Sequence, residues 1–226
     1  MLRADGQQVL VLSPHPDDET FGCGGTLRLL ASAGAEIDVL YMTRGELGVD
    51  APESSTPASR ERLATLRSTE AHAACQLLGA REVNFLAGRD GQLCEQPELA
   101  TDIAAQLGRH GYSRVFCPWS EESHPDHRAT CHLLKWALGG FSGTLDVWLY
   151  EVWTPLRPAV YVPIDATIEA KLAAAQCHQS QLACLDYVSG FRGLAAYRAL
   201  ACAGAKFAEA FQTCDARRFV AGNGHA

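Results

Sequence analysis

The chain has 226 residues, of which 47% are hydrophobic, and its formal net charge is -7 at pH 7. A chain of this length and composition buries a sizeable apolar core, so we expect one globular domain over residues 1–226. Nucleic acids and anionic membranes are bound through clustered Lys and Arg, which this acidic composition does not favour. We therefore expect a small-molecule partner, with no nucleic acid and no membrane insertion.

The amino terminus has neither the cationic start nor the long apolar run of a secretory signal, and no segment reaches membrane-spanning length. The nine cysteines are scattered without a Cys-x-x-Cys pair, which is typical of reduced, buried thiols. Together these features predict a cytoplasmic location.

Apolar runs of strand length alternate with helix-period segments along the chain. The predicted strands are Gln8–Leu12, Glu36–Met42, Glu82–Leu86, Arg114–Trp119, Asp146–Val152 and Ala159–Ile164. The predicted helices are Thr20–Ala33, Ser59–Leu78, Glu98–His110, His127–Leu138 and Asp165–Gln181. Residues Ala205–Cys214 fit either a short helix or an edge strand, and Gly45–Ser59 is the longest loop and a candidate lid. The alternation predicts an α/β fold whose mostly parallel sheet carries helices on both faces.

Two clusters rich in His and Asp each follow an apolar strand. Pro14–Glu19 reads Pro-His-Pro-Asp-Asp-Glu and comes just after Val9–Leu12, whereas His124–His127 reads His-Pro-Asp-His and follows Val115–Trp119. Chemistry in α/β sheets sits at the carboxyl ends of the strands. We therefore expect both clusters at one edge of the sheet, around one metal ion.

A catalytic zinc site uses three protein ligands and keeps one position open. His15, Asp18 and His127 supply a suitable set, although iron(II), cobalt or manganese could occupy such a site as well. Adjacent residues project differently, so Asp17 and Asp18 can divide the work. We assign Asp18 to the ion and Asp17 to the general base that takes a proton from metal-activated water.

His124 is the candidate group for stabilising the negative charge on the former carbonyl oxygen, in its cationic form. Asp126 is expected to hold His124 in the required tautomer and to raise its pKa. A competing interpretation makes Asp17 a capping carboxylate for the helix near Thr20. Either cluster alone also fits a solvated turn, whereas the pair favours a shared metal site.

With both motifs present unaltered, the chain resembles the PIG-L/LmbE family of metal-dependent deacetylases, which remove acetyl groups from N-acetylglucosamine-type sugars. The resemblance covers nearly the whole chain. It implies a Rossmann-like three-layer sandwich, with zinc on the three ligands named above and the same roles for Asp17, His124 and Asp126. Multimers are common among similar proteins, so a homo-oligomer stays open.

Weaker family features match in order at Thr43–Glu46, Arg67–Glu70, Asp90–Gly91 and His178–Gln181. The resemblance makes four of these residues candidates for binding the substrate: Glu46, Arg67, Asp90 and His178. One position departs from the pattern, because Glu122 stands where some members carry a tyrosine that assists the intermediate. An ionised carboxylate cannot stabilise an oxyanion, so either His124 and the metal suffice or another group from the Gly45–Ser59 loop contributes.

The sequence therefore predicts hydrolysis of an N-acetyl amide on an amino sugar or its conjugate. One alternative is an amidase of the same mechanism that acts on a non-acetyl amide of a sugar-thiol or natural-product conjugate. A second is a sugar-binding module of the same fold that has lost turnover. A dinucleotide-binding oxidoreductase is disfavoured, because Gly22–Gly25 lacks the Gly-x-Gly-x-x-Gly spacing.

Overall fold

The computed structural model describes residues 6–48 and 56–222, and within these it contains one seven-stranded sheet. The strands are β1 (Gln8–Ser13), β2 (Glu36–Tyr41), β3 (Glu82–Phe85), β4 (Arg114–Pro118), β5 (Asp146–Tyr150), β6 (Val160–Pro163) and β7 (Ala208–Asp215). Their order is β3-β2-β1-β4-β5-β7-β6. Strands β1 to β5 pair in parallel, whereas β7 is antiparallel to β5 and β6. The predicted mostly parallel sheet is confirmed.

Helices cover both faces of this sheet. They are α1 (Asp18–Ser32), α2 (Pro57–Leu78), α3 (Leu99–Leu107), α4 (Pro125–Ala137), α5 (Ile168–Ala175), α6 (Gln179–Leu182), α7 (Tyr187–Ala199) and α8 (Ala216–Ala221). Part of the candidate lid, residues 49–55, lies outside the described residues.

Side chains of β1 alternate between two apolar cores. Val9 and Val11 pack with α1, α2, α5 and α7 on one face, whereas Leu10 and Leu12 pack with α3, α4 and α8 on the other. All four side chains are fully buried, as expected for a strand at the centre of a sheet that is covered on both sides. The predicted three-layer architecture is confirmed.

The strand order reverses at the centre of the sheet. After β1 the chain builds β2 and β3 on one side, then crosses back to build β4 and β5 on the other. Connections that leave neighbouring strands in opposite directions open a crevice at the carboxyl ends of those strands. The two motifs follow β1 and β4, so they lie on either side of this crevice.

Three regions of the carboxyl-terminal half differ from the sequence-based expectation. The helix predicted over Asp165–Gln181 is broken between α5 and α6. Helix α5 begins after Thr167, and Asp165 accepts a hydrogen bond from the backbone N–H of Lys206. The ambiguous segment 205–214 contributes β7, an interior strand paired on both sides and not an edge. Helix α7 was not predicted, because glycines in its middle weaken the helical signal.

Within the described residues, none of the helices has the length and apolar character needed to cross a membrane.

Candidate metal centre and active site

The first motif folds back on itself where β1 ends. Glu19, in the first turn of α1, accepts hydrogen bonds from the hydroxyls of Ser13 (3.2 Å) and Thr20 (2.6 Å). The backbone N–H of His15 donates to Asp18 Oδ2 at 3.0 Å. Carboxylates at a helix amino terminus are favoured by the helix dipole. The strand, the turn and α1 are thus tied together, which fixes His15 beside Asp18.

The second motif forms the start of α4. Pro125 occupies the first helical position, which suits its fixed φ, and His124 is the N-cap residue. The Nδ1 atom of His124 accepts a hydrogen bond from the backbone N–H of Asp126 at 3.2 Å. A neutral imidazole that accepts at Nδ1 carries its proton on Nε2. The local fold therefore leaves His124 Nε2–H as a donor and holds His127 in the first turn of the helix.

The two motifs meet around one carboxylate oxygen. Asp18 Oδ2 lies 3.1 Å from His15 Nδ1 and 3.2 Å from His127 Nε2. The rings of His15 and His124 are 4.8 Å apart between centroids, and those of His124 and His127 are 5.0 Å apart. Two stretches separated by more than a hundred residues thus bring their imidazole and carboxylate donors to one point.

These donors fit a divalent cation. His127 is fully buried, yet among the described residues neither of its ring nitrogens makes a well-aligned hydrogen bond, although Nε2 lies close to Asp18 Oδ2. This is rare for buried polar atoms. Burial alone would raise the pKa of Asp18, but the imidazoles of His127 and His15 hold it well below its usual range. An ionised carboxylate beside two imidazoles matches the nitrogen and oxygen donors of catalytic zinc sites.

A second group of donors surrounds the other nitrogen of His15. His15 Nε2 lies 3.2 Å from Asp90 Oδ1 and 3.2 Å from Asp126 Oδ2. The Asp126 carboxylate is itself held in place, because it accepts hydrogen bonds from the backbone N–H groups of Gly91 (2.6 Å) and Leu93 (3.1 Å). Histidines that bind metals usually donate their other nitrogen to a carboxylate. This arrangement supports His15 as a ligand through Nδ1.

Asp17 occupies the crevice in a strained backbone conformation. Its φ is 154°, and it precedes α1 without making a side-chain capping bond, so the capping interpretation is wrong. Its Oδ2 accepts from Arg67 Nη2 at 3.0 Å. Burial raises the pKa of Asp17 to about 8, although Arg67 lowers it. A buried carboxyl with this pKa near an ion site suits a group that takes up and returns a proton.

The expected contact between the Asp126 carboxylate and the His124 ring is corrected. The carboxylate turns to His15 and to the loop at Gly91, and Asp126 orients His124 through its backbone N–H instead. Burial lowers the pKa of His124 and the neighbouring imidazole of His15 lowers it further, which outweighs the predicted rise from the negative charge of Asp126. The expected cationic form is therefore not supported, since a ring with a lowered pKa is neutral at pH 7.

The four candidate substrate residues all lie around the crevice. Arg67 is buried and donates to the carbonyl oxygens of Gly45 (3.0 Å) and Pro16 (3.3 Å) as well as to Asp17. Gly45 has a φ of 67°, and a Cβ there would lie 2.4 Å from Arg67 Nη1. Only a glycine lets the guanidinium approach the backbone this closely.

Glu46, Asp90 and His178 differ in how accessible they are. Glu46 is half-buried and accepts from the backbone N–H of Asp90 at 3.0 Å. Asp90 also accepts from the backbone N–H of Leu47 at 2.8 Å. His178 is fully buried beside Thr20, and burial lowers its pKa to about 3. His178 is therefore a neutral interior ring, whereas Glu46 keeps an exposed part.

Sequence reasoning missed the part played by Glu122. The side chain is buried, and its carboxylate accepts from the backbone N–H groups of Val152 (2.5 Å), Trp153 (3.1 Å) and Thr154 (3.2 Å). Its Oε2 also lies 3.8 Å from His127 Nδ1. Glu122 thus joins the segment after β5 to a candidate ligand. The signal was present in the sequence as an acidic residue just before the second motif.

Comparison with protein families identifies the family of the chain. Residues 10–138 match the PIG-L family, described as GlcNAc-PI de-N-acetylase. The chain belongs to this family. The predicted resemblance is therefore confirmed over more than half of the sequence, including both motifs.

Individual relatives agree with this assignment. The chain is 29% identical over 194 residues to diacetylchitobiose deacetylase of Thermococcus kodakarensis, covering 78% of this chain and 71% of the relative. It is 38% identical over 192 residues to 1D-myo-inositol 2-acetamido-2-deoxy-alpha-D-glucopyranoside deacetylase of Kineococcus radiotolerans, covering 67% of this chain and 53% of the relative. The structure of N,N'-diacetylchitobiose deacetylase from Pyrococcus horikoshii superposes with a TM-score of 0.83 at 28% identity, over 95% of this chain and 86% of that chain.

Proposed function

We propose that the protein removes the N-acetyl group from an N-acetylglucosamine-type amino sugar or its conjugate. The predicted enzyme class, a hydrolase of carbon–nitrogen bonds other than peptide bonds, is confirmed by the family and by relatives that are deacetylases. The observation that carries the proposal is the meeting of His15 and His127 at Asp18 Oδ2, where the ring nitrogens of buried His127 make no well-aligned hydrogen bond with any described residue.

His15, Asp18 and His127 would hold one divalent ion. Zinc suits two imidazoles and a carboxylate, and iron(II) or another transition ion suits them as well. Such an ion supplies Lewis acidity, which lowers the pKa of water and polarises a carbonyl group. The carboxylates of Asp90 and Asp126 keep His15 in the tautomer and orientation that a ligand needs.

Asp17 acts as the general base in this proposal. It takes the proton from the attacking water and later returns it to the leaving amine. Arg67 holds the Asp17 carboxylate in place through its Nη2, and we assign Arg67 to this positioning task in preference to binding sugar hydroxyls. The bond also keeps the ionised form of Asp17 accessible despite burial, because the guanidinium lowers its pKa.

His124 donates to the developing oxyanion from Nε2–H. Its Nδ1 is held by the backbone of Asp126, so the tautomer is set before substrate arrives. A neutral hydrogen-bond donor is sufficient for this task. His124 can therefore stabilise the oxyanion without the tyrosine that some family members carry at the position of Glu122. Glu46, which is half-buried, is the candidate that we retain for contacts with sugar hydroxyls.

An assay of purified, metal-analysed protein on a panel of acetylated amino sugars tests the function. We expect stoichiometric release of acetate and of the free amine. Release of a larger acid from acylated conjugates, without acetate from any acetylated sugar, would favour the amidase alternative. Metal-replete protein that binds these sugars and cleaves none of them would favour the inactive module.

A further inference from the structure

A cleft of about 370 Å³ lies between the segment that follows β5 and the start of α7. Its lining is mostly apolar and includes Val152, Trp153, Pro155, Leu185, Phe191 and Leu194. Trp153 is 42% exposed and Leu185 is 59% exposed, which is unusual for side chains of this size. Exposed aromatic and aliphatic side chains that together line a concave surface are typical of a ligand site.

The aromatic wall of this cleft is held in place. The ring of Trp153 lies 5.5 Å from that of Tyr187 and 6.1 Å from that of Phe191, between centroids. The backbone beneath it is bonded to the Glu122 carboxylate, and Trp119 Nε1 donates to Thr154 O at 2.9 Å. A rigid indole face loses little conformational entropy when a ligand packs on it.

Both walls of the cleft pack on or bond to residues that lie next to the candidate active site. On one side, the Glu122 carboxylate that holds Trp153 lies 3.8 Å from His127 Nδ1. On the other side, the ring of Tyr187 lies 5.4 Å from that of Phe21, three residues beyond Asp18 on α1. Burial raises the pKa of Tyr187, which lines the cleft, and the carboxylate of Asp17 raises it further. The start of α7 therefore places one wall of the cleft within electrostatic range of the candidate general base.

The negative charge in the cleft determines which substituents of a substrate it can accept. Of the lining residues that the structure describes, Asp186 is the one that carries a charge. Its carboxylate accepts from the backbone N–H of Ser189 at 3.0 Å, and hydrogen bonds from the side chain and the backbone of Ser189 lower the pKa of Asp186. The group is therefore ionised at neutral pH. With no Lys, Arg or His among the described residues of the lining, it would repel a carboxylate or phosphate.

We propose that this cleft is the subsite for the aglycone, the part of the substrate attached to the acetylated sugar, and that it takes a neutral group with an apolar face that packs on Trp153. An aryl ring and a second neutral sugar share this chemistry, since a pyranose also offers a face of C–H groups. The inference rests on the proposed deacetylase function and narrows its substrate class to neutral conjugates.

The test compares kcat/KM for acetate release from four substrates. These are N-acetylglucosamine, the phenyl glycoside of N-acetylglucosamine, the anionic malyl glycoside of N-acetylglucosamine, and N,N'-diacetylchitobiose. We expect the wild type to prefer the phenyl glycoside or the disaccharide over the other two, and the preferred one identifies the source of the aglycone. Trp153→Ala should lower kcat/KM for that substrate about tenfold, mainly through KM, while leaving N-acetylglucosamine unchanged.

Trp136→Ala is the matched control, because Trp136 is 58% exposed on α4 and does not line the cleft. It should leave all four rates unchanged. Leu185→Ser is the second variant, since an exposed leucine contributes little to folding. It should lower kcat/KM for the same substrates as Trp153→Ala does. A preference for the malyl glycoside would overturn the inference, as would an equal loss on N-acetylglucosamine in Trp153→Ala.

A binding measurement separates this inference from the proposed function. Calorimetric titration with phenyl glucosaminide, the free amine, requires no turnover. If no acetylated sugar is hydrolysed, the proposed function fails, and tighter binding of phenyl glucosaminide than of glucosamine that is lost in Trp153→Ala still supports the cleft. Equal binding of the two amines to the wild type would overturn the assignment of the cleft even in an active deacetylase.

Discussion

Among the buried clusters of charged side chains in the described residues, two are satisfied in opposite ways. In the first, between α1, α5 and β7, Lys171 Nζ lies 2.6 Å from Glu209 Oε1 and donates to Phe21 O at 2.7 Å. Glu209 also accepts from the backbone N–H groups of Gly25 (2.9 Å) and Thr26 (2.7 Å). Each charge is therefore paired and hydrogen-bonded, which is how folded proteins tolerate buried ions.

The second cluster, at the ends of β1 and β4, is left incomplete. Within the described chain the ring nitrogens of buried His127 make no well-aligned hydrogen bond, Asp17 has a φ of 154°, and three imidazole rings lie close together. Unpaired buried groups and backbone strain cost stability, so they persist chiefly where function requires them. The comparison indicates that the first cluster stabilises the fold and that the second is completed by what it binds.

His127→Ala should have the largest effect, because it removes a ligand from the incomplete cluster. We expect loss of both the bound metal and detectable deacetylation, measured by metal analysis and acetate release. His132→Ala is the control, since His132 is exposed on the same helix. Full metal content in His127→Ala would remove His127 from the ligand set.

Asp17→Asn should separate chemistry from metal binding. The amide keeps the shape of the side chain and cannot accept the proton, so turnover should fall about 10²- to 10⁴-fold while the metal stays bound. Because Asp17 accepts a proton only when ionised, the acidic limb of the pH–rate profile should also disappear from the residual activity. Equal metal loss in Asp17→Asn and His127→Ala would reassign Asp17 as a ligand.

Asp126→Asn should have a smaller effect than Asp18→Asn on metal affinity. Asp126 supports His15 from outside the ligand set, and loss of such support typically weakens metal binding about 10- to 100-fold. Asp18→Asn should abolish binding, as titrations of the metal-stripped variants would measure. The reverse order would place the ion on the other side of His15, among Asp90 and Asp126.

Lys171→Met should leave kcat and metal affinity unchanged and act on stability alone. Removing one partner of a buried ion pair leaves Glu209 uncompensated, at a cost of about 3 kcal/mol in the free energy of unfolding. Denaturant unfolding of the metal-stripped protein measures this cost, and adding Glu209→Gln should recover part of it. Metal loss in folded Lys171→Met would contradict the division into two clusters.

The sequence predicts much of the candidate site because both motifs sit directly after strands. Once β1 and β4 are placed as neighbours at the strand-order reversal, His15, Asp18 and His127 must approach one another. The convergence therefore needs only local patterns and one rule about parallel sheets.

The remaining contacts depend on loops that no local pattern places. Asp126 faces His15 because the loop at Gly91 and Leu93 supplies two backbone donors to its carboxylate. Arg67 reaches Asp17 only because α2 packs beside α1, and Glu122 turns to a backbone segment some thirty residues away. Such long-range pairings follow from tertiary packing, which also breaks the predicted helix over Asp165–Gln181.

Titration of metal-stripped protein with zinc, with acetate release from an N-acetylglucosamine conjugate followed in the same samples, tests the central claim most directly. We predict that zinc binding and activity rise together and saturate at one ion per chain, and that chelation abolishes both. Acetate release by protein free of metal, or zinc binding that survives loss of Asp18 and His127 together, would contradict it.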